Sequence, residues 1–247
     1  MSARFFASLS LHAAAKGDGV VHLEGSPAMH IHVLRLQVGD VITLFDGEGG
    51  EFEAEIITIG KRLVGVKLIR HLDVERESFF PVTLVQALAT GDKMDWIVQK
   101  AVELGVHSIQ PIQVERSTVR LASERADKRV QHWQAIAISA CEQCGRNRVP
   151  MVHPVADFQA WLTRPATDLR LMLHPDAPSS LMSFQPLKAA SAVSLIIGPE
   201  GGFSDVELQR AHAARIAAVR LGLRILRTET AGIAVLSALQ AVWGDLA

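Results

Sequence analysis

The sequence predicts an α/β protein preceded by a small all-β domain: residues 1–72 as a β-barrel, residues 73–247 as a mostly parallel sheet covered by helices. Three observations carry this. The runs VITLFDGEGG, EFEAEIITIG and KRLVGVKLIRHL are rich in β-branched residues and split by DGEGG and Gly-Lys, the punctuation of hairpins. From Pro81 onward, apolar strand-like runs alternate with segments of helical period, the pattern of a parallel sheet with both faces covered. Between the two regions, DVERESFFP is charged, ends in proline and reads as a linker.

Element by element, Ser26-Pro27 opens a short helix with serine as N-cap and proline in the first turn, ending near Gly39-Asp40. The three β runs follow. VTLVQAL is a buried-type strand, and KMDWIVQKAVELG is a helix with Met94, Ile97, Val98, Ala101 and Leu104 near helical spacing and Gly105 as its stop. SIQPIQV is strand-like, and residues 123–144 form a long helix. DLRLML, VSLIIG and AVRLG are further strands. Ser204 and Glu207 form a capping box that opens another helix, and Thr230 to Trp243 makes the last one.

At 247 residues, 49% of them hydrophobic, the chain can bury one large core or two smaller ones. A formal charge of −1 announces no nucleic-acid binder globally, but residues 112–148 hold seven Lys/Arg against four Asp/Glu, and residues 210–229 hold five Arg against one Glu. Binding surfaces are local, so a phosphate-facing patch is compatible with a neutral total. The first residues lack the unbroken apolar core of a secretory signal. No run of about 18 uncharged apolar residues appears, so no membrane span is expected. These features read as a cytoplasmic protein.

Ligands of parallel sheets bind beyond the carboxyl ends of the strands, and three loops lie there. In LIIGPEGGFS a strand runs into Gly198-Pro199-Glu200-Gly201-Gly202, whose glycines allow close backbone approach. It is either an ordinary glycine-rich turn or a ligand loop, and it is not the dinucleotide fingerprint. LGLRILRTETAG packs Arg224, Arg227, Thr228, Glu229 and Thr230 between a strand and a helix. Polar capping explains the threonines, whereas two arginines there suit phosphate or base edges. In LMLHPDAPSS, His174 follows a strand directly and reads first as a hydrogen-bonded loop residue.

The two cysteines, Cys141 and Cys144, stand at the end of a helix rather than its start, without the further ligands that structural zinc needs. They read as small buried residues, and no metal is expected. Behind them Arg146, Asn147 and Arg148 occupy a loop closed by Pro150, a composition suited to an anionic or planar partner.

His32-Val33-Leu34-Arg35, Lys93-Met94-Asp95, QKAVELGV, ACEQCGRNRVP, LIIGPEGGFS and LRILRTETA, taken together and in order, resemble the RsmE family, bacterial 16S ribosomal RNA methyltransferases of the SPOUT superfamily. The resemblance covers nearly the whole chain. It implies that the first domain is a PUA-like RNA-binding barrel and that the second carries a deep trefoil knot at approximately residues 170–240. It implies S-adenosylmethionine as cofactor, lined by Leu173 and His174, by Ile197, Gly198, Pro199, Glu200, Gly201 and Gly202, and by Leu221, Gly222, Ile225, Leu226 and Thr228. It further implies a homodimer acting on ring nitrogen 3 of a uridine, in free 16S rRNA or the assembled small subunit.

That nitrogen is protonated in neutral uridine, so transfer needs a base or a cation that stabilises the anion. Arg227 and Arg224 are candidates for the cation. Glu229 or Glu200 either orients an arginine, accepts the proton, or only holds backbone amides. Expected RNA contacts are Arg4, His32 and Arg35 on the first domain and Arg116, Arg146, Asn147 and Arg148 on the second. Rival readings are a non-catalytic RNA-binding factor, a small-molecule α/β enzyme and a related methyltransferase with another RNA target. The small-molecule enzyme lacks the G-x-S-x-G and G-x-G-x-x-G motifs.

Overall fold

The computed structural model describes residues 3–121, 123–165, 168–183 and 192–246. They form two compact units, one of residues 1–77 with 141–149, the other of residues 78–140 with 150–247.

The first unit contains β1 (Arg4–Phe6), α1 (Leu11–Lys16), β2 (Val20–Glu24), α2 (Ser26–Val33), β3 (Val41–Phe45), β4 (Glu51–Ile59) and β5 (Leu63–Leu72). Its five strands run in the order β1-β3-β4-β5-β2. The β3–β4 and β4–β5 neighbours are antiparallel, as the hairpin punctuation predicts. Alternate residues such as Ile42, Leu44, Ala54, Ile56, Val64 and Val66 turn inward to a shared core with Phe5, Leu11 and Ile31. Helix α2 differs from its expected bounds at both ends. Gly25 is the N-cap, so Ser26 is already helical, and the helix stops at Val33 because Arg35 adopts a positive φ of 55°. The charged stretch after β5 is not wholly a linker: through Glu77 it packs with the first unit, where Glu75, Arg76 and Glu77 all find partners.

The second unit contains β6 (Val82–Ala87), α3 (Lys93–Glu103), β7 (Ser108–Gln113), the long α4 (Ser123–Cys144, whose last residues belong to the first unit), β8 (Met151–Val152), β9 (Ala156–Asp157), α5 (Phe158–Leu162), β10 (Leu169–Leu173), β11 (Ser179–Ser180), β12 (Val193–Ile197), α6 (Asp205–Ala213), β13 (Ala217–Arg220) and α7 (Thr228–Trp243). The sheet order is β11-β13-β10-β12-β6-β7-β8, with β9 beside β7, and the pairs along it are parallel. All five residues of β12 are buried, as a strand covered on both faces requires. Val85, Ala87 and Ile196 face a core with Phe158, Trp161, Phe203 and Ala211 of the α5–α6 side. Leu84, Gln86 and Ile197 face Gly232 of α7, where a Cβ would lie 3.3–3.5 Å from all three.

Two helix starts position the loops. At α6 the capping box forms: the Ser204 hydroxyl accepts from Glu207 N (3.3 Å) and the Glu207 carboxylate accepts from Ser204 N (2.8 Å). Glu207 is buried, and its other oxygen accepts from Glu115 N (2.8 Å), tying the segment after β7 to α6. Helix α7 begins at Thr228 rather than Thr230, with Arg227 as an N-cap that makes no side-chain bond. The Thr228 hydroxyl is engaged elsewhere, as described below.

Ser204→Ala is expected to cost about 1 kcal/mol of stability in urea unfolding. Glu207→Ala should cost more, about 2 kcal/mol, because it also removes the buried carboxylate that accepts from the Glu115 amide. The reverse order would contradict the double role of Glu207.

Candidate functional site

Parallel pairing puts the carboxyl ends of β13, β10 and β12 side by side on one edge of the sheet. The loops leaving those strands line one cavity of about 320 Å³. Leu173, His174 and Pro175 come from β10, residues 197–203 from β12, and Leu221, Gly222, Arg224, Ile225 and Leu226 from β13. Arg116, Arg220 and Ala231 complete the wall. The three loops singled out in the sequence therefore meet, although 24 residues separate Leu173 from Ile197 in the chain and another 24 separate Ile197 from Leu221.

Thr228 does not line the cavity; it lies buried behind it. Its hydroxyl donates to Gly198 O (2.6 Å) and accepts from Gln86 Nε2 (3.0 Å), linking β6, the glycine loop and α7. A Cβ on Gly198 would stand 3.0 Å from the Phe203 ring, and one on Gly201 would stand 3.2 Å from Cβ and 3.3 Å from the carbonyl of Arg116. Gly202 has φ +68°, which favours glycine. His174 is the hydrogen-bonded loop residue of the sequence reading: Nδ1 accepts from Asp176 N at 3.2 Å.

Of the four residues considered for the reaction, Arg224 and Glu200 line the cavity. Arg227 and Glu229 stand outside that lining, at the N-cap and in the first turn of α7. The Glu200 carboxylate is turned to other parts of the chain. Lys93 Nζ donates to it at 2.7 Å, Thr90 Oγ1 at 2.9 Å and Thr90 N at 3.4 Å. Burial pushes the Glu200 carboxyl up, but the bonds from Lys93, its own backbone amide and Thr90 outweigh it and hold it at about 2. Lys93 also reaches Glu229 Oε2 at 3.5 Å, and its hydrogen bond to Glu200 raises its own proton affinity.

Sequence reasoning passed over Lys93, Thr90, Phe203 and Arg220 as site residues. A signal for Lys93 was present: it is the first residue of α3, where a cation opposes the helix dipole. Such a placement asks for anionic partners, which Glu200 and Glu229 supply.

The expected RNA contacts divide sharply. Arg4, Arg146 and Asn147 are turned into the first unit. Arg4 pairs with Glu51 and donates to Asn147 Oδ1 (2.7 Å) and Gly145 O (3.2 Å). Asn147 is fully buried and donates to Val74 O (2.5 Å), while Arg146 pairs with Glu77. Arg76 adds bonds to Glu51 (3.2 Å) and Gly145 O (2.9 Å). Burial alone would raise the Glu51 carboxyl, yet Arg4 and Arg76 bring it below its ordinary range. By contrast Arg148 is 57% exposed at its side chain, with Glu75 at 3.6 Å. Arg35 and His32 are exposed beside a surface depression, His32 Nε2 lying 3.0 Å from Gly60 O. Arg116 is exposed at the rim of the main cavity.

Cys141 is buried, and burial, opposed by Arg146, pushes its thiol up to about 12. The thiol contacts Arg148 O at 3.7 Å. Burial that holds the thiol protonated in this way disfavours a reactive thiolate at neutral pH.

Residues 75–240 match the family described as RNA methyltransferase domain, and residues 24–69 match the RNA methyltransferase PUA domain. The chain is 34% identical over 225 residues to ribosomal RNA small subunit methyltransferase E of Bacillus subtilis, covering 88% of each chain. It is 32% identical over 215 residues to the protein of that name from Buchnera aphidicola, covering 86% of this chain and 84% of that one. A crystal structure of the Neisseria gonorrhoeae small subunit methyltransferase E, bound to S-adenosyl methionine, superposes with a TM-score of 0.92 at 38% identity over the full length of both chains.

Asn147→Ala should cost about 1–3 kcal/mol in urea unfolding, because it removes one of the acceptors of Arg4 and the amide donor of Val74 O from a buried position. Arg148→Ala should cost less than about 0.5 kcal/mol. Equal costs would overturn the division between inward and exposed groups.

Proposed function

Since the chain belongs to the ribosomal RNA small subunit methyltransferase E family, we propose that it transfers a methyl group from S-adenosylmethionine to ring nitrogen 3 of a uridine in 16S ribosomal RNA. One observation carries the reading: three strand-end loops, two of them bearing glycines, converge on a single cavity of about 320 Å³. That volume falls in the range of small-molecule sites. Leu173, Ile197, Leu221 and Leu226 offer apolar walls, and Gly198 and Gly201 sit where side chains would close the space. These residues fit the cofactor, whose role when bound is to present an electrophilic methyl group on a sulfonium.

The protein then contributes position and electrostatics. In this reading Arg224, at the cavity wall, and Arg227, at the start of α7, stabilise negative charge on the uracil oxygens. Glu200 is engaged by Lys93 and Thr90 and held strongly acidic, so it is assigned to holding the loop rather than to taking the proton. Glu229 is the carboxylate left to orient an arginine or accept the proton. The trefoil knot at approximately residues 170–240, a homodimer, the absence of a metal and a cytoplasmic setting belong to the same proposal. The domain division after residue 72, with the PUA-like part binding RNA, is likewise part of it.

RNA contact is assigned to the exposed cations Arg35, Arg116 and Arg148, with His32 beside Arg35. Arg4, Arg146 and Asn147 shape the surface from within.

Three measurements test this. Incubation with labelled S-adenosylmethionine and small-subunit RNA, free or assembled, followed by nucleoside analysis, should yield 3-methyluridine. A label on a ribose or a ring carbon would contradict the proposal. Arg227→Ala should lower turnover about 100-fold with RNA affinity retained, and wild-type turnover would end the charge-stabilising role. RNA binding should weaken steeply with salt, and Arg148→Ala should reduce the logarithmic slope by roughly 0.7–0.9.

A further inference from the structure

We infer that Lys93 is a positioning residue for the glycine loop: its ammonium pins Glu200, and with it the cavity-forming stretch 197–203, to the first turns of α3 and α7. The inference rests on the proposed cofactor reading for its functional consequence, though not for the pinning itself.

The observations are geometric. Glu200 lies midway along the loop that lines the cavity, yet its carboxylate is directed at the β6–α3 connection. Three groups meet there from three elements: Lys93 at the start of α3, Glu229 in the first turn of α7, and Glu200 after β12. Both carboxylates draw on one ammonium, and Glu229 Oε2 is buried with no hydrogen-bond partner of its own. The Lys93 and Glu200 side chains are 27% and 30% exposed, so water screens the pair only in part. Removing the ammonium would leave two carboxylates without their shared cation, and the glycine-rich loop, with few side chains to anchor it, would lose its one ion-paired tether among the described residues.

The pinning also sets a pH dependence. Among the described residues Lys93 is the charged group that pairs with Glu200, and Glu229 reaches the same ammonium from α7. Glu200 titrates below its ordinary value in the folded protein, so its contribution is complete above about 4.5 and is lost only as pH falls toward about 2. Without Lys93 the carboxyl returns upward, and the loop should then loosen over a higher, milder acid range.

The test compares wild type, Lys93→Met and Lys93→Arg. Amide hydrogen exchange over residues 197–203 of the free protein reads the pinning, and calorimetric titration with S-adenosylmethionine reads its consequence. Lys93→Met is expected to exchange faster in that loop, with unchanged protection in β6 and β12, and to bind about three- to tenfold more weakly. Its affinity should fall further between about pH 6 and 4, where wild-type affinity stays level. Lys93→Arg should restore both readouts, which a merely structural loss of packing would not predict. Unchanged loop exchange in Lys93→Met would overturn the inference, as would faster exchange spread evenly over the sheet. If wild type itself binds no S-adenosylmethionine while Lys93→Met still loosens the loop, the cofactor reading fails and the pinning stands.

Discussion

Parallel pairing of β13, β10 and β12 is the constraint on which the site depends. Three neighbouring strands that run the same way must end on the same edge, so the three connections leaving them are forced together. The cavity follows without any long-range design in the loops themselves. What the loops add is room and shape: glycines where a Cβ would meet Phe203 or Arg116, and apolar residues at the strand ends. The burial of the strands on both faces makes this edge rigid, because β12 cannot shift without disturbing the cores on either side.

A second layer of polar contacts fixes the loops to that edge. Thr228 joins Gly198 to Gln86, Glu207 joins α6 to the segment after β7, and Lys93 joins Glu200 to the starts of α3 and α7. Each uses a side chain on a regular element to hold an irregular one. The chemistry required of an RNA methyltransferase, positioning of two reactants with little covalent work by the protein, suits a site built this way.

Much of this was legible in the sequence because it is local. The strand-to-loop motifs at 195–204 and 221–232, the capping box at Ser204 and the hairpins of the first unit each lie within about a dozen residues, where periodicity and turn chemistry speak directly. The misplaced starts and stops have identifiable competitors: Arg35 takes a positive φ that ends α2, and Thr228 gives its hydroxyl to Gly198, 30 residues away in the chain. What stayed hidden is the destination of charged side chains. Arg146 and Arg148 are two residues apart, yet one pairs with Glu77 inside the first unit and the other is exposed. An arginine looks the same in a sequence whether it awaits a phosphate or already holds a carboxylate. Lys93 and Glu200 are 107 residues apart, and no spacing rule connects them.

The central claim is that the cavity at the carboxyl edge holds the methyl donor. Calorimetric titration of the protein with S-adenosylmethionine, beside Gly201→Val, tests it most directly. The account predicts saturable binding in the wild type, lost in Gly201→Val while cooperative unfolding is retained, since the added side chain meets Arg116 at the cavity wall. Equal binding by both proteins would place the cofactor elsewhere and contradict the account.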